Sequence, residues 1–219
     1  MDFGISEELA STLSGIQEFV ETELYPLEEE ILEHGFRDAL PKLQALRQRV
    51  KELGWWLPHL AADHGGLGLS LADFGMVSEV LGRSPVGHYV FNCQAPDAGN
   101  MEVLLEHATE SQREKFLEPL LAGEIRSCFG MTEPEHAGSN PIFLSTRAEL
   151  DGDEWVINGH KWFTSSADGS SFCIVMAVTD PDAHKYQRAS MIVVPTDTPG
   201  FELVRNIPVM GDVGEDYFS

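Results

Sequence analysis

The hydrophobic period of the chain switches near residue 125, and that switch decides which fold classes are open to it. Before residue 125, apolar residues recur at intervals of three and four. Leu9, Leu13, Ile16, Val20, Leu24, Leu27 and Ile31 share one helical face. Pro26 cannot donate to the preceding turn, so it restarts or kinks this helix. Leu43, Leu46, Val50 and Leu53 form a second stripe, with Gly54 as its C-terminal stop. Residues 57–69 read as a loop containing His64-Gly65-Gly66-Leu67-Gly68-Leu69. Ser70 begins the next helix, with Asp73 three residues on and Phe74, Val77 and Leu81 as its apolar set. Asp97 caps a helix through Met101, Leu104 and Leu105. Thr109 and Gln112 make a capping box for a helix through Phe116, Leu117 and Leu120, ended near Gly123.

After residue 125 the pattern becomes extended. Residues 126–132, 143–150, 154–157 and 160–164 read as strands, and so do 172–178, 190–194 and 201–205. Asp151-Gly152 and Asn158-Gly159 separate some of them and are strong hairpin signals. Helices first and strands afterwards predict an α domain over residues 1–125 and an all-β domain over 126–219, not an alternating parallel sheet.

Composition narrows the function classes. Hydrophobic residues make up 42% of the 219, enough for a packed core. The formal net charge is −22, and residues 1–36 hold no Lys or Arg. Such a surface repels phosphates, so neither nucleic acid nor an anionic membrane is an expected partner. No apolar run is long enough to span a bilayer, and the acidic N-terminus has no signal-peptide pattern. Cys93, Cys128 and Cys173 are an odd, widely spaced set, which predicts a reducing, cytoplasmic setting. No metal site is expected: His59 and His64 are five apart in a loop, with no cysteine pair nearby. His136 and His160 read as ordinary hydrogen-bonding histidines. GxGxxG is absent, because Leu71 stands where the last glycine would be, and there is no P-loop, GxSxG or HExxH.

Two segments stand out. Residues 127–140 read Ser-Cys-Phe-Gly-Met-Thr-Glu-Pro-Glu-His-Ala-Gly-Ser-Asn. Pro134 forces Glu133 out of the helical region, and Ala137-Gly138-Ser139-Asn140 leave backbone N–H groups uncovered. Such a loop can cradle an anion or a heteroaromatic edge. Alone, it reads as a strand-to-loop turn. Residues 158–164 read Asn-Gly-His-Lys-Trp-Phe-Thr, and an extended strand there sets Trp162 and Thr164 on one face. Alone, Trp162 reads as a core aromatic.

In this order the two segments resemble the signatures of the acyl-CoA dehydrogenase family, T-E-P-x-A-G-S-D followed by N-G-x-K-x-W-[IF]-T. The resemblance covers essentially the whole chain, including His64-Gly65-Gly66-Leu67-Gly68 and Gly123-Glu124. Three residues lie between Pro134 and Gly138 where the common form has two, and Asn140 stands where Asp is usual. This longer loop and residues 92–104 are similar to the branch of family members 10 and 11, associated with longer or 4-hydroxylated acyl chains.

The resemblance implies an α+β chain: an N-terminal all-helical domain, then a β-barrel-like middle domain, with the family's C-terminal four-helix domain absent from these residues. It implies FAD as cofactor. Phe129, Met131, Thr132, Ser139, Trp162, Phe163 and Thr164 would line the flavin, with Thr132 at its pyrimidine edge, Trp162 against the ring and Thr164 toward N5. Ser139 would also meet the substrate, an acyl-CoA. The reaction would be α,β-dehydrogenation to a trans-2-enoyl-CoA in fatty acid metabolism, with electrons passing to an electron-transferring flavoprotein and a homodimer or homotetramer as the full-length assembly. The glutamate base would lie beyond Ser219, so no catalytic residue is assigned. Glu133 is expected to have a local structural role. Alone, these residues would bind FAD weakly and expose apolar surface. Two alternatives remain: a flavin oxidase or monooxygenase on the same scaffold, and a non-catalytic interaction module.

Overall fold

A computed structural model describes residues 4–138 and 140–208. The chain divides into two compact units, Met1–Ala98 and Gly99–Ser219. The division falls inside the first turn of a helix, Asp97–His107.

The first unit is helical. Helix α1 spans Glu7–Phe19, α2 Tyr25–His34, α3 Phe36–Glu52, α4 Leu71–Leu81 and α5 Gly87–Val90. The expected apolar face forms: Leu9, Ile16, Val20, Leu24 and Ile31 are buried. Each such side chain contributes roughly 1.5–3 kcal/mol. Pro26 is absorbed without a break. Residues Val20–Leu24 make one π-turn, in which Tyr25 N–H donates to Val20 O, and α2 follows with Pro26 in its first turn. The wider turn accommodates a residue with no N–H to donate. Helix α3 buries Phe36, Ala39, Leu43, Arg47 and Val50, while Leu53, expected in the stripe, is exposed. Gly54 has φ +74°, the left-handed stop predicted for it. Ser70 caps α4, its Oγ accepting from Asp73 N–H at 3.2 Å.

The buried Arg47 is the polar centre of this unit. Its guanidinium donates to Tyr89 O and to Asn92 Oδ1, the latter at 3.1 Å. It also lies 4.8 Å from the Trp56 ring centroid and 4.5 Å from that of Tyr89.

The second unit combines helices and a mixed sheet. Helix α6 is Asp97–His107, α7 Glu110–Gln112 and α8 Glu118–Ala122. The Thr109–Gln112 capping box forms in both directions, and Gly123 ends α8 at φ +70°. A second π-turn, Arg113–Leu117, precedes Pro119. The strands are β1 Ser127–Gly130, β2 Arg147–Asp151, β3 Glu154–Asn158, β4 Phe172–Val178 and β5 Ala189–Pro195. The sheet runs β1-β4-β2-β3, with β5 also on β4. β1 and β2 pair with β4 in parallel, whereas β2–β3 and β4–β5 are antiparallel. β4 is a continuous apolar run because it is the central strand, with neighbours along both edges. Cys128 and Cys173 are register partners in a core cluster with Val175, flanked by Ile157, Ala167, Val194 and Phe201.

Several extended readings are corrected. The 143–150 strand begins only at Arg147. The N–H groups of Ser145 and Thr146 donate to the Glu133 carboxylate at 2.5 and 2.8 Å and so are lost to a ladder. Residues 160–164 are not a strand. Phe163 has φ +54° and Ser166 +66°, and the N–H groups of Ser165 and Ala167 turn back onto Phe163 O and Thr164 O. Left-handed backbone at a phenylalanine cannot keep the strand alternation, so Trp162 and Thr164 are not placed by a pleat. Asn158-Gly159 therefore joins no hairpin. Residues 201–205 have no ladder partner among the described residues, and Phe201 N–H closes a turn onto Thr198 O. The Asp151-Gly152 signal holds: Asp151 pairs with Glu154 across a two-residue loop whose first central residue, Gly152, has φ +64°.

Among the described residues no helix is long and apolar enough to cross a membrane. Cys93, Cys128 and Cys173 are free and buried.

Candidate functional site

β1 carries Phe129, half-buried between the buried Cys128 and Gly130. The chain leaves the sheet after Gly130, and Met131 and Thr132 continue it as a half-buried loop. Residues 161–164 lie far off in sequence but meet this loop. Trp162 N–H donates to Thr132 O at 2.9 Å. Lys161 Nζ donates to Met131 O and to Glu133 Oε1, both at 3.0 Å. The two segments singled out in the sequence therefore form one locus.

Glu133 organises the locus. It is 3% exposed, and its carboxylate accepts from Ser145 N–H, Thr146 N–H and Lys161 Nζ. His136 Nε2 lies 3.6 Å from its other oxygen and 2.5 Å from Ser145 Oγ. Burial pushes the Glu133 carboxyl up, but the Thr146 side chain beside it, the Ser145 and Thr146 N–H groups and the Lys161 ammonium outweigh burial and hold it at about 2. The Thr146 hydroxyl itself makes no hydrogen bond of good geometry. Burial lowers Lys161, against the opposing pull of Glu133. Glu133 is thus a structural anion near neutral pH, unsuited to act as a base there.

Around this centre the chain is narrow. A Cβ on Gly138 would lie 2.6 Å from Thr132 Cγ2, and one on Gly159 2.1 Å from Thr146 Oγ1. Glycine at 159 is required for close approach, with no positive φ involved, which is why the hairpin reading of Asn158-Gly159 fails.

The residues expected at a cofactor fall into three groups. Phe129, Met131, Thr132, Trp162 and Thr164 are half-buried, and Phe163 is 55% exposed. Trp162 packs edge-on against Phe163 at 5.1 Å, with the Arg205 guanidinium 5.6 Å from its ring centroid. Ser139 lies outside the described residues. Among the described residues the hydroxyls of Thr132 and Thr164 make no hydrogen bond. Two unused hydroxyls and an accessible aromatic pair, on loops joined backbone to backbone, fit a flat heteroaromatic group with polar edges. No cluster of His, Cys, Asp and Glu among the described residues is arranged to hold a metal ion.

Sequence reasoning missed the clamp of Lys161 on Met131 O and Glu133. The signal available was a lysine between His160 and Trp162 in a segment read as a strand, and strand alternation would have pointed it away from the Trp162 face.

Known proteins show the same organisation. The family description "Acyl-CoA dehydrogenase, N-terminal domain" matches residues 6–124, and "Acyl-CoA dehydrogenase, middle domain" matches residues 128–216. The chain belongs to the acyl-CoA dehydrogenase family. Family member 11 from Gallus gallus is 42% identical over 212 residues, 91% of this chain and 27% of that protein. An acyl-CoA dehydrogenase structure from Mycobacterium abscessus superposes with a TM-score of 0.91 at 38% identity, over 99% of this chain and 57% of that one. A glutaryl-CoA dehydrogenase from Mycobacterium smegmatis in complex with FADH2 has a TM-score of 0.69 at 27% identity, over 93% of this chain and 50% of that one. The chain thus spans about a quarter of this curated relative and about half of the solved ones. Within the acyl-CoA dehydrogenase frame, the locus around Thr132 and Trp162 lies in the middle-domain match.

Proposed function

We propose that these residues form the flavin-holding part of an FAD-dependent dehydrogenase that converts an acyl-CoA thioester to the trans-2-enoyl-CoA. The observation that carries the reading is the Trp162 N–H to Thr132 O bond, which sets two loops with unused threonine hydroxyls side by side. In this reading the Thr132 hydroxyl holds the pyrimidine edge of the flavin and the Thr164 hydroxyl donates toward N5. The Trp162 indole covers a ring face while Phe129, Met131 and Phe163 exclude water. When bound, FAD supplies the acceptor for the hydride that leaves the β-carbon. Glu133, held ionised at about 2, shapes the loop and moves no proton. The α-proton goes to a base outside residues 1–219, and electrons continue to an electron-transferring flavoprotein. The full-length protein is a homo-oligomer in this reading.

The test uses the full-length protein, loaded with FAD and titrated anaerobically with acyl-CoA esters of several chain lengths, some of them 4-hydroxylated. Bleaching of the flavin with loss of two hydrogens from the ester supports the proposal. A yellow protein that no acyl-CoA bleaches overturns it. Aerobic hydrogen peroxide equal to product assigns the protein to the oxidases instead.

A further inference from the structure

We propose that Lys161 is a positioning residue that sets the flavin's two polar contacts in register, acting through Glu133 and the Met131 carbonyl. The inference rests on the FAD reading above and goes beyond it, because Lys161 has no role in that reading and meets the assigned residues through the Met131 backbone carbonyl.

The argument starts from where the sheet stops. β1 ends at Gly130 and β4 begins at Phe172, so residues 131–133 and 161–164 lie outside any ladder. Ladder bonds set the spacing of neighbouring strands, whereas here three contacts do so. Consecutive residues reach consecutive residues: Lys161 Nζ to Met131 O, Trp162 N–H to Thr132 O, and Lys161 Nζ again to Glu133 Oε1. Two of the three belong to one ammonium. Its stem is confined as well, since a Cβ on Gly130 would lie 3.3 Å from Lys161 Cγ. The Lys161 side chain is 13% exposed and that of Glu133 1% exposed, so water cannot easily replace either partner.

Glu133 is fixed at its far end too. The Ser145 and Thr146 N–H groups hold the carboxylate, and the His136 imidazole lies beside it. The ammonium therefore connects a rigid anchor to a backbone carbonyl one residue from Thr132. If it is lost, the Trp162 N–H bond remains as a single pivot, about which the Thr132 and Trp162–Thr164 sides can rotate relative to each other. Thr132 and Thr164 would then no longer meet one planar ring at fixed separation, and a positional error of about 1 Å is enough to impair such a site.

The experiment compares full-length wild type with Lys161→Met, Lys161→Arg and Glu133→Gln, each reconstituted with FAD. Dissociation constant, flavin visible circular dichroism and flavin midpoint potential are measured beside the melting temperature. Lys161→Met is expected to weaken FAD binding at least tenfold and to change both the dichroism and the potential of the bound flavin. Lys161→Arg, which keeps the charge and two-acceptor reach, should recover most of the affinity, and Glu133→Gln should fall between. A folded Lys161→Met protein with wild-type affinity, dichroism and potential overturns the proposal. Should Lys161→Met fail to fold, Lys161→Arg and Glu133→Gln decide: unchanged flavin dichroism and potential in both overturn it. Wild type that binds no FAD would instead refute the underlying reading.

Discussion

Arg47 in the helical unit and Glu133 in the sheet unit are both buried, and their contacts differ in kind. Arg47 donates to a carbonyl and an amide oxygen and lies against two aromatic faces. Glu133 in the sheet unit is held by two backbone N–H groups and a second buried charge, Lys161. A charge held by another charge leaves an ion in the interior when removed. Losing either member of the Glu133–Lys161 pair therefore loosens the two segments that carry them.

The largest expected effect separates these cases. Lys161→Met should cost about 3–5 kcal/mol, because the Glu133 carboxylate stays buried without its ion partner. Arg47→Met should cost about 2–3 kcal/mol, from lost cation–π contact and charged hydrogen bonds. Urea denaturation of both variants measures the difference. Equal costs would show that the Ser145 and Thr146 N–H groups alone neutralise Glu133.

Acid should separate the units next. His59, in the helical unit, has both ring nitrogens buried and without hydrogen-bond partners, and burial pushes it down to about 4. Its folded value lies below the unfolded 6.5, so the unfolded chain takes up the proton first. The stability it contributes is present above pH 6.5 and falls as pH drops toward 4. Glu133 is also depressed, from 4.5 to about 2, so its contribution is present above pH 4.5 and falls as pH drops toward 2. The helical unit should therefore weaken at milder acidity than the sheet unit. Peptide-resolved hydrogen exchange across this range would show it, and simultaneous loss of protection in both units would contradict it. His59→Leu should shrink the upper window, leaving the part due to His88, which burial also lowers.

The smallest effect is local. Ser70→Ala removes the cap of α4 and should cost about 1 kcal/mol, seen as a small shift in the urea midpoint. A shift as large as that of Arg47→Met would mean that the loop before α4 depends on this serine as well.

How legible each region was in the sequence follows the same division. The α1 face, the Ser70 cap, the Thr109–Gln112 box and the Gly54 and Gly123 stops were readable because each depends on residues within four positions. β4 was readable because a central strand is apolar along its length. The start of β2 was not, since Glu133, 14 residues before Arg147, takes the N–H groups that would have extended it. The path of 160–164 was hidden for the same reason, as Lys161 and Trp162 bind residues about 30 positions earlier. Arg47 was passed over because a charge is not expected on a buried helical face. The residue types of the candidate site were visible as a pair of motifs. The bonds that make them one locus span distances that no local pattern encodes.

The two π-turns have a consequence for how this chain tolerates change in length. Each holds one residue more than an α-helical turn needs, just ahead of a proline. A residue is worth about 100° of helical rotation. Wound into regular helix, such a residue would turn everything after it by that angle and carry the buried Ile31 off its face, whereas the wider turn at Val20–Leu24 absorbs it. The extra residue therefore works as a phase adjuster. It lets a proline enter mid-helix while the apolar stripes on either side of it stay aligned.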